Sequence, residues 1–327
     1  MRRREFIAGL GGAVAYPPAV LAQPRSPARR IAVLMGTVQS ALDEACVSAL
    51  LLRLAELGWK AGVNLQAEVR WWKGGQDQME PVVAELLALS PDVVVVFTNF
   101  ALAFLKPRTG NTPIVFVGVG DPIGDGFVSS LAHPGGTITG FTSHDAAMGG
   151  KWLEMLKEGC PSLTRVMAIL HAETPVHRAF WQSLAEAALK FGIEATPAGV
   201  HGAAEIENAV VSYATTQNAG MVAFPHAVTL VNRDLIIALS LRYRLPAMHA
   251  GLGASKAGAL FSYSVDYVES FRRTAEYVDR VLRGERPGDL PVQQPTKFWL
   301  AVNLKTASAI GVTVPAPFLN RADEVIE

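Results

Sequence analysis

Ser90-Pro91-Asp92-Val93-Val94-Val95-Val96-Phe97-Thr98-Asn99 is the stretch whose reading decides the fold. A helical pattern over Met79–Leu89 ends at Ser90-Pro91, because proline disfavours helical backbone at the residue before it. The apolar run Val93–Phe97 follows. It is rich in valine and continuous rather than alternating, as a strand buried on both faces should be. Thr98-Asn99 then stands just past the strand's carboxyl end, where open parallel sheets take their ligands.

The same rhythm extends in both directions. Candidate strands at Ile31–Met35, Leu65–Trp71 and Ile114–Val119 share the valine and isoleucine bias, and a helical pattern at Leu42–Leu57 ends on Gly58. A second series begins after Ile138–Thr142. Its strands are expected at Val166–Leu170, Glu194–Val200 (a weak one), Gly220–Phe224, Pro246–His249 and Ala259–Tyr263. Helices are expected at Gly149–Glu158, Phe180–Phe191, Ile206–Ala214 and Leu230–Tyr243. Two successive series of βαβ units predict an α/β protein with two similar Rossmann-like lobes, each built on a parallel sheet. A further helix, Asp266–Arg283, has Phe271, Ala275, Val278, Val281 and Leu282 on one face and a glycine stop at Gly284.

With 327 residues, half of them apolar, the chain can bury two substantial cores. Lys plus Arg, 29, equals Asp plus Glu, 29, so no global basic field draws nucleic acid or an anionic membrane. The two cysteines, Cys46 and Cys160, fall in different lobes and are expected to be unpaired, since two distant cysteines make no disulfide framework.

The N-terminus reads as an export signal. Arg2-Arg3-Arg4 is a charged opening, an apolar stretch runs from Phe6 to Leu21, and Ala22 gives a small-residue exit. Arg3-Arg4-Glu5-Phe6-Ile7 fits the twin-arginine subtype. An uncleaved anchor is the plain alternative. However, the apolar core is about fifteen residues, broken by Tyr16-Pro17-Pro18, where a span needs about twenty. No cysteine sits at the exit to carry a lipid. The expected mature protein therefore starts near Gln23, is periplasmic, and begins with a short Pro/Arg linker over 23–30.

The residues just past each strand form the candidate ligand site. They are Gly36, Thr37, Trp72, Thr98, Asn99 and Asp121 from the first lobe, and His171, His226 and His249 from the second. Thr142 and Tyr263 lie where the lobes join. Backbone amides and helix N-termini gather at such ends and favour an anion. Three histidines after three strands of one lobe could hydrogen-bond a carboxylate or bind a transition metal; the plain alternative is that each caps a helix or satisfies local backbone. No pair of them has close metal-ligand spacing and no carboxylate is obviously placed as a fourth ligand, so no metal is expected; no cofactor is expected either. Trp71 and Trp72 point to opposite faces, one into the core and one toward cleft or solvent. Gly118-Val119-Gly120-Asp121-Pro122 is a weak glycine-loop match that follows a late strand; Asp121-Pro122 reads instead as an N-cap with proline at the first helical position. The chain has no Gly-x-Ser-x-Gly, His-Glu-x-x-His, Cys-x-x-Cys or phosphate-binding P-loop, so an enzyme is not expected.

A family resemblance sharpens these expectations. Tyr263-Ser264-Val265-Asp266, Arg272-Arg273-Thr274-Ala275-Glu276-Tyr277-Val278-Asp279-Arg280-Val281-Leu282-Arg283-Gly284, Asp289-Leu290-Pro291-Val292-Gln293-Gln294-Pro295 and Asn303-Leu304-Lys305-Thr306-Ala307 closely resemble the C-terminal signature of a bacterial family of ABC-transporter substrate-binding proteins. Better-known members capture tryptophan and other aromatic amino acids. Glu56-Leu57-Gly58-Trp59, Gly120-Asp121-Pro122 and His133-Pro134-Gly135-Gly136-Thr137-Ile138-Thr139-Gly140-Phe141 look like further landmarks in order. The resemblance implies a type I periplasmic binding fold with a multi-crossing hinge. Lobe I would take 31–141 plus about 265–327, and lobe II 142–264. It also implies a monomer that closes on an amino acid or a small aromatic or aliphatic carboxylate and delivers it to ABC permease and ATPase subunits in the inner membrane. Departures from the family pattern fall in the candidate pocket: His171-Ala172 stands where relatives show Asn-Pro, His226 near an acidic or small residue, His249 near a tyrosine, and Tyr263-Ser264 in place of Tyr-Gly. A periplasmic sensor for a receptor kinase would look the same from sequence. A small-molecule enzyme or a transcription-factor effector domain shares the layout but fits the export signal poorly.

Overall fold

The computed structural model describes residues 28–72, 78–251 and 253–327. The expected export signal, 1–22, and most of the linker lie outside these residues. The first lobe runs β1 (Arg29–Met35), α1 (Ala41–Glu56), β2 (Leu65–Trp71), α2 (Met79–Ala88), β3 (Val93–Phe97), α3 (Asn99–Leu105), β4 (Ile114–Val119) and β5 (Ile138–Thr142). These strands form one parallel sheet in the order β2-β1-β3-β4-β5. All five residues of β3 are buried, because helices cover both faces. Side chains alternate across the sheet. Ile31, Val33, Met35, Val93, Val95 and Phe97 enter one core layer with α1, and Ala32, Leu34, Val94 and Val96 enter the other with α2 and α3.

The second lobe continues with α4 (Met148–Gly159), β6 (Arg165–Leu170), α5 (Pro175–Phe191), β7 (Glu194–Gly199), α6 (Ala203–Tyr213), β8 (Ala219–Ala223), α7 (Ala227–Val231), α8 (Arg233–Tyr243), β9 (Ala247–His249) and β10 (Phe261–Val265). Then α9 (Tyr267–Leu282) crosses back to the first lobe, where Phe271, Ala275, Val278 and Leu282 join the α1 core layer. Trp59 Nε1 donates to Asp279 Oδ1 at 2.7 Å and Arg53 pairs with Glu276, so polar contacts also tie α9 to the end of α1.

The chain beyond α9 corrects one expectation. Residues from 298 onward do not stay in the first lobe. β11 (Phe298–Asn303), α10 (Leu304–Ile310), α11 (Ala316–Leu319) and β12 (Glu324–Ile326) extend the second sheet, ordered β12-β11-β10-β9-β8-β6-β7. β11 pairs antiparallel with β10 and buries Leu300 and Val302 in the second core; every other pairing is parallel. The reason is local. β10 would otherwise present an open edge, and the apolar run in 298–303 matches it register for register.

Smaller differences follow from local chemistry. Asp121-Pro122 opens a turn and no helix: Asp121 has φ 38°, and its Oδ1 accepts from Gly124 N at 2.9 Å. Leu230–Tyr243 is two helices, α7 and α8, broken at Asn232. Gly118, at φ 69°, sits in a register shift between β4 and β5 and re-aims the loop that follows. Gly149 lets α4 and α5 pack closely, since a Cβ there would strike the Phe180 backbone.

The lobes are joined at three places: between β5 and α4, between β10 and α9, and along the strand-like segment around Gln293. Gln293 N donates to Gly140 O at 2.9 Å, and its carbonyl receives Thr142 N at 2.8 Å. Cys46 in α1 and Cys160 after α4 are buried free thiols in different lobes, each pushed up to about 12 by burial. Among the described residues no helix is long and apolar enough to cross a membrane.

Candidate functional site

The carboxyl ends of both sheets face each other, and the lobes touch there. A Cβ on Gly120 would lie 3.5 Å from Val176 Cγ2 of the second lobe, one on Gly253 lies 3.8 Å from Leu42 Cδ2 of the first, and Ala227 packs against the core layer that holds Trp72.

On the first-lobe side, Gly36 follows β1 and sits against Thr98: a Cβ there would strike Thr98 Oγ1 and Phe97 O, so only glycine fits. Thr98 caps α3 from φ 83°, with its hydroxyl accepting from Ala101 N. Thr37 is buried beside Asp43, whose carboxyl is pushed up chiefly by burial, against the Ser40 and Thr37 hydroxyls. Trp72 is buried and packs on Phe100 at 5.1 Å, in the core layer of α2 and α3, while Trp71 lies against the opposite layer. Asn99 is committed to bracing the loop after β4. Its Nδ2 donates to Gly120 O at 2.7 Å and its Oδ1 accepts from Gly120 N at 2.9 Å. Asp121 is exposed and committed to its own turn.

At the lobe junction, Thr142 is held by Gln293 through both its amide and its hydroxyl. Tyr263 stacks on Phe298 at 5.5 Å, and its carbonyl accepts from Trp152 Nε1 at 2.9 Å.

On the second-lobe side, the fold brings His171 and His226 together as stacked rings with centroids 4.4 Å apart. His226 caps α7: its Nδ1 accepts from Val228 N at 3.2 Å. The proton therefore sits on Nε2, which points at Thr174 Oγ1 3.3 Å away, and that hydroxyl in turn faces His171 Nδ1 at 3.0 Å. Burial, reinforced by its two histidine neighbours, pushes His226 down to about 3. His249 stands apart from this group. It is fully buried, pushed down to about 4 by burial, and its Nε2 has no hydrogen-bond partner among the described residues. Ser264 Oγ, in the adjacent strand β10, is likewise buried and unpartnered. An unpaired buried polar group costs about 1–3 kcal/mol, which marks both atoms as candidates for contact with a polar guest.

Two more histidines of this region, His177 and His201, carry a signal in the sequence. Thr174-Pro175 marks the true start of α5, five residues before Phe180. That puts His177 in its first turn, where its Nδ1 accepts from His171 N at 2.8 Å and its Nε2 donates to Pro225 O at 3.2 Å. His201 follows β7, the weak strand, and reading past that strand's end would have found it. Its Nε2 lies 2.9 Å from Glu173 and its Nδ1 2.9 Å from Glu205, and these two carboxylates, Glu173 first, push the imidazole up. His171 Nδ1 is 3.4 Å from the same Glu173, so His171, Glu173 and His201 present ligand atoms all within 4.8 Å of one another.

The chain matches, over residues 30–326, the model of a family described as ABC transporter substrate binding protein. That span takes in both lobes and all three crossings. The chain belongs to the ABC transporter substrate-binding protein family. A similar curated relative is the tyrosine-binding protein of Clostridioides difficile (strain R20291), 22% identical over 265 residues that cover 79% of this chain and 74% of the relative. Among solved structures, a conserved domain protein of Vibrio cholerae is 25% identical with a TM-score of 0.83, covering 91% of this substrate-binding chain and 99% of that one. A domain from Streptococcus pneumonia in complex with L-Trp, 23% identical, also has a TM-score of 0.83 and covers 91% and 100%. The family's two-lobed fold is thus present here, with His171, His226 and His249 at the carboxyl ends of the second sheet's strands.

Proposed function

We propose that this substrate-binding protein is exported to the periplasm, captures an amino acid or a small aromatic or aliphatic carboxylate between its lobes, and presents it to the permease and ATPase of an ABC importer. The family match across both lobes and all three crossings carries this reading. One relative is a tyrosine-binding protein and one solved neighbour holds L-Trp, which supports an amino acid as the guest. His249 Nε2 and Ser264 Oγ, buried without partners among the described residues at the carboxyl edge of the second sheet, supply polar contacts on the floor of the cleft. The mechanism is closure. A guest that touches both lobes binds the closed form better than the open one, and by that difference alone it shifts the population toward closure. The chain acts as a monomeric binding component and performs no reaction on its guest.

A thermal-shift panel on protein unfolded and refolded to strip carried ligand tests the reading. The panel holds amino acids, aromatic and aliphatic carboxylates and nucleotides. A guest at one hundred times its Kd stabilises by about 2.7 kcal/mol, a shift of several degrees. Stabilisation by an amino acid or carboxylate is the expected result. A response confined to nucleotides, or turnover of any panel member, overturns it.

A further inference from the structure

His171, Glu173 and His201, past the carboxyl ends of β6 and β7, hold three potential ligand atoms within 4.8 Å of one another. We propose that His171 Nδ1, a carboxylate oxygen of Glu173 and His201 Nε2 form a transition-metal site of the zinc class, with Glu205 orienting His201. The three donors come from two loops, β6–α5 and β7–α6, that only the parallel order of the second sheet brings side by side. Donors about 2 Å from a tetrahedral zinc stand roughly 3.3 Å from one another. Here Glu173 lies 2.9 Å from His201 Nε2 and 3.4 Å from His171 Nδ1, and all three ligand atoms fall within 4.8 Å. The Thr174 hydroxyl, 3.0 Å from His171 Nδ1, would turn its proton aside for the ion.

The surroundings resemble those of a metal-bound imidazole more than those of a surface ion pair. Glu205 Oε2 takes the Nδ1 side of His201 at 2.9 Å and also accepts from the His201 backbone amide at 2.9 Å, so it stays in place independently of the ring. A carboxylate on one imidazole nitrogen fixes the tautomer that turns the other lone pair toward a metal. The plane of His171 is set by its stack on His226, with the His201 ring edge-on at 5.2 Å. A simple ion pair with Glu173 would need neither the second imidazole nor the second carboxylate. His201 and Glu173 are half-exposed, so an ion reaches the site from solvent, and three protein donors leave a fourth position for water or an exogenous donor.

The test uses the full mature chain, stripped with EDTA and titrated calorimetrically with zinc alone, with cobalt(II) absorption to read the geometry. Wild type is expected to take one zinc per chain and to give the intense visible bands of tetrahedral cobalt. His201→Ala and Glu173→Gln should each weaken zinc at least about tenfold, and Glu205→Gln about ten- to a hundredfold with unchanged stoichiometry. His133→Ala, on a surface turn of the other lobe, should bind as wild type. The substituted side chains are exposed or half-exposed, and circular dichroism confirms that the variants are folded. Absence of stoichiometric zinc from wild type, or wild-type zinc affinity retained in His201→Ala and Glu173→Gln, overturns the site. Because zinc alone is the probe, its failure is separable from any failure of the amino-acid reading.

Discussion

His144 shows at one residue how this protein handles its histidines. It follows the first crossing, is buried among Trp152, Phe180 and Phe298 with ring centroids 5.2–6.5 Å away, and its Nε2 has no partner among the described residues. Burial pushes it down to about 3. The sign follows directly: the unfolded imidazole, near 6.5, binds a proton that the folded one refuses. Stability is therefore complete above about pH 6.5 and falls as pH drops from there toward 3. His249, pushed down to about 4, adds the same trend over a narrower window, whereas the exposed His201, pushed up by Glu173 and Glu205, runs the opposite way. His144→Leu removes one titration and no hydrogen bond at Nε2. Urea unfolding at pH 7.5 and pH 5 should show wild type losing about 2 kcal/mol more than the variant between the two values. Equal losses would show that His144 titrates alike folded and unfolded. Site residues were legible only in part at this scale. Strand ends named His171, His226 and His249 correctly as neighbours of the second sheet's edge, but not their partners. Whether Asn99 is free for a guest depends on the backbone of Gly120, twenty-one residues away, and no local pattern carries that pairing.

Helix α9 is the element that makes two lobes into one hinge system; its sequence announces the helix and its apolar face, while its return to the first lobe is what the family resemblance implies. Apolar residues three and four apart predict a single buried stripe, and the structure lays Phe271, Ala275, Val278 and Leu282 on α1 and the first sheet. Phe271 is fully buried and meets the Phe97 ring edge-on at 5.4 Å. Phe271→Ala should cost about 3–5 kcal/mol in urea unfolding, whereas Arg272→Ala, on the exposed side, should stay within about 0.5 kcal/mol. A loss below 1 kcal/mol for the phenylalanine would mean that α9 contributes little to the first lobe. Periodicity fails where an element is defined by its neighbour. The antiparallel β11 has an apolar run like any other, yet its lobe is decided by the open edge of β10, which lies over thirty residues earlier. The break at Asn232 is equally silent in sequence, since Leu230–Tyr243 reads as one continuous apolar pattern while His226 and Thr229 close a separate capping box at the start of α7.

At the scale of the whole molecule, everything proposed depends on two lobes that can separate and meet. Three crossings restrain twist and leave one easy motion, opening and closing of the cleft. One place where the lobes approach is Gly120 on the first lobe against Val176 on the second: a Cβ on Gly120 would lie 3.5 Å from Val176 Cγ2 and 3.7 Å from Ser143 Oγ of the crossing. Gly120 has no positive φ, so a side chain at this position meets no backbone strain, and its nearest neighbour is Val176 of the other lobe. A methyl would just touch Val176 at 3.5 Å, whereas a leucine extends further into the space the two lobes share here and should oppose any closer approach. Gly120→Leu should therefore keep the unfolding stability of the free protein within about 0.5 kcal/mol while weakening the guest found in the thermal panel by at least about tenfold, equivalent to 1.4 kcal/mol taken from the closed state. Small-angle scattering at saturating guest reads the cause: wild type should contract on binding and Gly120→Leu should not. If the variant contracts and binds as wild type does, then approach of the lobes at Gly120 plays no part in holding the guest, and the capture mechanism proposed for this family member has to be sought on one lobe alone.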